Sequence, residues 1–247
     1  VDRNQLQIGR LGAGGQVDKT RAGGLRLSGV RGRFSDRELV RFVGLHGAVS
    51  VEQVMIAFGV GRTAAYRRVA ACIAQGLLER LALLREEPTV LRATRPGLRF
   101  AGLGLGLCVV SPGSVSHWLR CTSVALELGE RYGSDRVISE RELRFIEQAE
   151  GRAIYSAKLG HRPDGSDRLH RPDLALVIGE RPVAVEVELS PKAPRRLEAI
   201  IAAWRRATWV GGVLYLCESG ATRRGVERAV RKARAEERVQ VAEVIGR

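Results

Sequence analysis

The sequence predicts a mixed α/β chain of two domains, a small helical one followed by a larger αβββαβαβ sandwich. Three observations predict it. Two capping-box signatures and helical apolar spacing crowd the stretch after Phe34. A glycine-rich, proline-containing stretch from Gly97 to Gly113 interrupts regular patterning, and beyond residue 137 strand and helix patterns alternate. At 247 residues, with 45% apolar side chains, the chain has the length and the hydrophobic content to build two modest cores.

Charge narrows the class of partner. Forty-one Lys and Arg against 27 Asp and Glu give a formal charge of +14, which favours a polyanion such as double-stranded DNA. Cys72, Cys108, Cys121 and Cys217 lie far apart in apolar runs and form no C-x-x-C, so they read as core residues of a reducing, cytoplasmic protein. No apolar run is long enough to span a membrane, so no membrane partner is expected.

Residues 1–30 carry many glycines, scattered basic residues and no sustained periodicity, as a flexible basic arm would. Residues 31–97 read as one domain. Ser35-Asp36-Arg37-Glu38 opens a helix with a Leu39, Phe42, Val43 stripe, and Ser50-Val51-Glu52-Gln53 opens a short second helix. After Phe58-Gly59-Val60-Gly61 a third helix runs from about Arg62 to Gln75, with Ala65, Val69, Cys72 and Ile73 on one side. Thr63 and Arg67 point away from that side, flanked by Tyr66 and Arg68, while Arg62 sits at the helix start where phosphate is favoured. Leu77 to Leu84 and Thr89 to Thr94 read as two strands around the turn Arg85-Glu86-Glu87-Pro88. This order resembles a winged helix-turn-helix domain. The resemblance implies DNA binding by the third helix and the hairpin, through Arg62, Thr63, Tyr66, Arg67, Arg68, Arg80 and Arg92.

Residues 98–136 are read as a connector and a bridging helix beginning at Ser114. Its apolar face of Val115, Trp118, Cys121, Thr122, Ala125 and Leu128 is suited either to bridging the domains or to a homodimer contact.

In residues 137–247, Ser139-Glu140-Arg141-Glu142 caps a helix and Ala153 to Leu159 reads as a strand. Leu174 to Ile178 and Val183 to Leu189 form an antiparallel pair around Gly179-Glu180-Arg181-Pro182. Helices near Arg195 to Ala207 and Thr222 to Glu237 then alternate with strands Val213 to Cys217 and Val239 to Val244. In the second hairpin strand Glu186 and Glu188 share one face, and Asp173 opens the first strand. Three carboxylates so close call for cationic compensation, either a hard metal or basic side chains such as Arg171, Arg195 and Arg196.

With Pro172-Asp173 before one strand and Glu186-x-Glu188 on the next, the arrangement resembles the PD-(D/E)xK, or restriction-endonuclease-like, fold. That resemblance implies Asp173 and Glu186 as ligands of Mg²⁺ or Mn²⁺ and a lysine at the position Glu188 occupies. It leaves Lys192 or Lys158 to take the lysine's part, so Asp173, Glu186, Glu188 and Lys192 are the candidate catalytic set. Of the tandem His161-Arg162-Pro163-Asp164 and His170-Arg171-Pro172-Asp173, only the second runs into an apolar strand. Any metal is therefore placed at the second.

Together with Ser116-His117-Trp118-Leu119 and Ser139-Glu140-Arg141-Glu142-Leu143, these motifs resemble the replication-relaxation family of actinobacterial plasmids and integrated elements. The resemblance spans about residues 34–245. It implies a DNA-binding protein acting in plasmid replication, relaxation or mobilisation, and Glu188 at the lysine position makes its nuclease-like domain a degenerate one. The alternative is a metal-dependent endonuclease using Asp173 and Glu186.

Overall fold

A computed structural model describes residues 34–83 and 89–244, and it is a mixed α/β protein. The basic arm expected over 1–30 and the turn Arg85-Glu86-Glu87-Pro88 lie outside the described residues. The described chain divides into two compact units between Phe145 and Ile146, inside one helix. Among the described residues no helix is long and apolar enough to cross a membrane.

The amino unit begins with α1 (Asp36–His46), α2 (Val51–Phe58) and α3 (Arg62–Ala74), followed by β1 (Leu78–Leu81) and β2 (Val90–Ala93). Both expected capping boxes form. Ser35 Oγ accepts the Glu38 N–H at 3.2 Å while Glu38 accepts the Ser35 N–H at 2.7 Å, and Ser50 and Gln53 repeat the exchange at the start of α2. Gly59 ends α2 in the left-handed conformation, which a glycine adopts at little cost. Strands β1 and β2 pair antiparallel, and Val49, between α1 and α2, bridges to Leu91. Leu39, Phe42, Val43, Val54, Ala65, Val69, Cys72, Leu78 and Leu91 make the core these elements share.

Three further helices complete this unit: α4 (Arg95–Phe100), α5 (Val115–Tyr132) and, after the short strand β3 (Val137–Ser139), the first half of α6 (Glu140–Glu150). Gly97 admits no side chain, because a Cβ there would stand 2.0 Å from the Leu77 carbonyl oxygen. The expected connector with its bridging helix belongs to this unit. Gln53 Nε2 donates to the Leu119 carbonyl at 2.7 Å and to Ser123 Oγ at 3.0 Å, fastening α5 to α2.

The carboxy unit contains β4 (Ala157–His161), β5 (Asp167–His170), β6 (Leu174–Leu176), β7 (Val183–Glu188), α7 (Pro194–Arg206), β8 (Gly212–Cys217), α8 (Gly220–Ala233) and β9 (Val239–Glu243). The predicted hairpin is present as β6 and β7, antiparallel, and β8 and β9 follow in parallel to give the order β6-β7-β8-β9. Where three strands were expected between the first helix of this region and α7 there are four, β5 being the addition. The strand expected from Ala153 starts later and pairs with β5 in a separate two-stranded sheet. The reason is Glu147 on α6, whose Oε1 accepts the N–H groups of Ile154, Tyr155 and Ser156 at 2.8–3.0 Å. Those donors are spent on a carboxylate, so residues 154–156 turn around it instead of joining a strand ladder.

Helices α7 and α8 cover one face of this sheet. Leu197, Ile200, Ile201 and Trp204 of α7 and Val226, Ala229 and Val230 of α8 pack with Ala184, Val213, Tyr215, Cys217 and Val239. Every residue of β7 is buried, Glu186 and Glu188 included, as befits an inner strand with a parallel neighbour.

Candidate functional site

The carboxylates predicted on the hairpin do converge, each with a definite partner. Alternation along β7 turns Glu186 and Glu188 to the face that α7 and α8 cover, and the parallel register sets Tyr215 beside Glu186 and Cys217 beside Glu188. Glu186, 1% exposed, accepts at Oε1 from the Trp204 indole N–H at 3.1 Å and contacts His170 Nε2 at 2.7 Å. Asp173 Oδ2 accepts the Val187 N–H at 2.7 Å, which pins the start of β6 to β7. Glu188 is paired with Lys192, which comes from the turn leaving β7. Pro191 and Pro194 flank that lysine closely and restrict the turn's backbone.

Burial and charge compete at His170, Lys192 and Glu188. Burial disfavours the His170 imidazolium, but the Glu186 carboxylate outweighs it and raises the pKa above the ordinary histidine value. Lys192 follows the same logic, with burial opposed by Glu186 and Glu188 and the pKa raised. Burial pushes the Glu188 carboxyl up more strongly than Lys192 pulls it down. The Tyr215 hydroxyl is fully buried without a hydrogen-bond partner among the described residues, and burial together with Glu186 holds its pKa well above the usual range.

A resident Mg²⁺ or Mn²⁺ at this donor set would have to compete with protein donors for its carboxylate oxygens. A hard divalent ion needs several oxygen ligands at once. Here Glu186 spends Oε1 on His170 and Trp204, Asp173 spends Oδ2 on a backbone N–H, and Glu188 is taken by Lys192. Lys192 and the imidazole of His170 already stand against two of the three carboxylates.

The compensating charges differ from those expected. Arg171 lies 3.7 Å from Glu147, Lys158 pairs with Asp167 at 2.7 Å, and Arg195 and Arg196 are exposed at the start of α7. Of the two H-R-P-D copies, the second supplies His170 and Asp173. The first lies on an exposed turn where Asp164 accepts from Ser166. Sequence reasoning passed over His170, Trp204 and Tyr215 as site residues. The repeated histidine before Arg-Pro-Asp was the one available signal.

A second candidate surface lies in the amino unit. Ala65, Val69 and Cys72 bury one side of α3, and Arg62, Thr63, Tyr66 and Arg67 are exposed on the rest of it. The helix carries no acidic residue, and no side chain caps its first amides at Gly61. Arg80 is exposed on β1. The two other predicted DNA contacts are engaged within the protein. Arg68 pairs with Asp36 at 2.9 Å and lies over the Phe34 ring, and its hydrogen bond holds the Asp36 carboxyl below its ordinary pKa. Arg92 bonds Glu79 at 3.0 Å and the Cys108 carbonyl at 2.8 Å. An arginine count cannot distinguish a side chain tied within the protein from an untied one.

No protein-family model matches the chain, and no curated protein matches it either.

Proposed function

We propose that this is a duplex-DNA-binding protein whose amino unit is a winged helix-turn-helix, with α3 as the helix that enters the major groove. The observation that carries this reading is the outward face of α3. Arg62, Thr63, Tyr66 and Arg67 stand exposed around a helix free of acidic residues, and its first amides lack a side-chain cap, an arrangement suited to phosphate. The order α1, bridging residue Val49, α2, α3, β1, β2 agrees with that architecture, as do the antiparallel hairpin and the Val49 to Leu91 bridge. On this reading the carboxy unit is a nuclease-like scaffold whose carboxylates are neutralised from within. The biological setting we propose is replication, relaxation or mobilisation of a plasmid or integrated element.

The alternative of a metal-dependent nuclease draws on one observation, the position of Lys192 beside Glu188, where the resembled motif would have its own lysine.

The test is fluorescence anisotropy of labelled duplex DNA across a salt series. Removing one side chain that neutralises a phosphate should lower the log–log salt slope by about 0.9. Arg62→Ala and Arg67→Ala together are expected to weaken binding and flatten that slope by about 2. Unchanged affinity and slope in the double variant would remove α3 from the reading.

A further inference from the structure

The outward faces of α7 and α8 carry nine Arg and Lys against two Glu. Both helices bury their apolar sides in the sheet-facing core, so the polar sides of both point to solvent. Opposite the buried Thr222, Val226, Ala229 and Val230 of α8, Arg224, Arg228 and Arg231 form one exposed row. Four- and three-residue steps keep such a row on one side of a helix, spaced along its axis by about 6 Å and then about 4.5 Å. On α7 Arg195 and Arg206 are exposed on the side away from Leu197, Ile200 and Trp204.

The two helices are fixed edge to edge. Lys232 of α8 pairs with Glu198 of α7 at 2.7 Å, and Arg205 of α7 donates to the Ala233 carbonyl at 2.8 Å. Both acidic residues of the pair of helices are engaged, Glu198 with Lys232 and Glu227 with Arg223 at 2.8 Å. Arginines at 195, 206, 224, 228 and 231 form no ion pair among the described residues.

From this we infer that the α7–α8 face of the carboxy unit is a second duplex-DNA-binding surface, independent of α3. Charge complementarity selects the occupant. B-DNA presents about one negative charge per 1.7 Å of axis, dense enough to meet every arginine of such a row. A lipid surface would also need an apolar face to insert, and here the apolar faces are consumed by the core. A protein partner would need exposed large hydrophobic residues to cover. Those exposed among the described residues, Ile56, Tyr66, Phe100, Leu107, Val109 and Phe145, all precede residue 146. Guanidinium groups, which bind phosphate through two parallel donors, make up the whole row. The surface contacts backbone, so it binds duplex without regard to sequence.

The experiment measures anisotropy of a labelled random-sequence duplex with the full chain across a salt series. It compares wild type, Arg224→Ala/Arg228→Ala/Arg231→Ala, Arg62→Ala/Arg67→Ala, and all five substitutions together. The triple variant should bind more weakly, with a salt slope lower by about 2 to 3, on both the wild-type and the α3-deficient background. Arg→Lys at the same three positions should restore the slope. If the α3 variant binds normally while the triple variant does not, the α3 reading fails and this one stands. Arg228→Glu alone provides the same readout should the triple variant fail to fold. Affinity and slope unchanged by the triple substitution on both backgrounds, or by Arg228→Glu in its place, would overturn the inference.

Discussion

His170 shows how a single side chain couples the carboxylate cluster to pH. Its pKa is raised in the folded protein because the Glu186 carboxylate, 2.7 Å away, outweighs the burial that disfavours its charge. A raised folded-state value means the stabilisation is fully present below the unfolded value of about 6.5 and is lost as pH rises through the folded one. Thermal unfolding of wild type should therefore lose stability by this route as pH rises past the unfolded value. In His170→Gln that component should vanish, leaving a flatter profile across the same window. A profile that keeps its full slope in the variant would show that some other group titrates there. Asp173, Glu186 and Glu188 were legible from the sequence because acids interrupting an apolar strand pattern are conspicuous. His170 and Trp204 were not, since they reach Glu186 across 16 and 18 residues and no periodicity records such a contact. Arg68 and Arg92 show the opposite case, their charge being visible in the sequence and their protein partners not.

At the scale of elements, the sequence was most informative where local chemistry decides. Both capping boxes, the third helix, the β1–β2 hairpin, the β6–β7 pair and the helices α7 and α8 lie where their caps and apolar stripes place them. The strand expected from Ala153 was displaced because Glu147, on a different element, claims three of its amides. Local propensity cannot report that competition. The approach of α4 to the chain entering β1 is equally non-local, and it yields a sharp prediction. Gly97 stands where a Cβ would be 2.0 Å from the backbone oxygen of Leu77, and that oxygen also accepts the Thr94 N–H at 3.1 Å. Gly97→Ala should cost about 1–3 kcal/mol, because the clash is with main chain and must be relieved by moving α4. Urea denaturation of the variant measures it. A loss within a few tenths of a kcal/mol of zero would mean the two segments separate freely.

For the whole molecule, the division into two units, each with its own exposed arginines, would make the proposed DNA binding a property that two surfaces share. Two modest sites on one chain raise overall affinity through effective concentration without any new contact. The same division bears on catalysis. With Glu186 and Asp173 committed to protein donors and Glu188 to Lys192, cleavage is not expected even where DNA is firmly held. Supercoiled plasmid incubated with the protein in Mg²⁺ or Mn²⁺ should remain supercoiled, and Asp173→Ala and Glu186→Ala should behave as wild type does. Metal-dependent nicking that both substitutions abolish would promote the nuclease reading. Glu186→Ala should instead act on stability, by stranding the Trp204 indole N–H and the imidazole it now receives.

Lys192 can also be regarded as a tethered counterion. A lysine within β7 would have its direction fixed by the pleat, whereas Lys192 hangs from the exit turn and reaches Glu188 from four residues away. The tether is short, which gives its ammonium an effective concentration that dissolved salt must compete against. Pro191 and Pro194 stiffen it, so little chain entropy opposes the return of the charge. The electrostatic state of a buried strand is thereby set by the conformation of a neighbouring turn, and a ligand that pulled on residues 189–193 would change the charge of the cluster without touching a carboxylate.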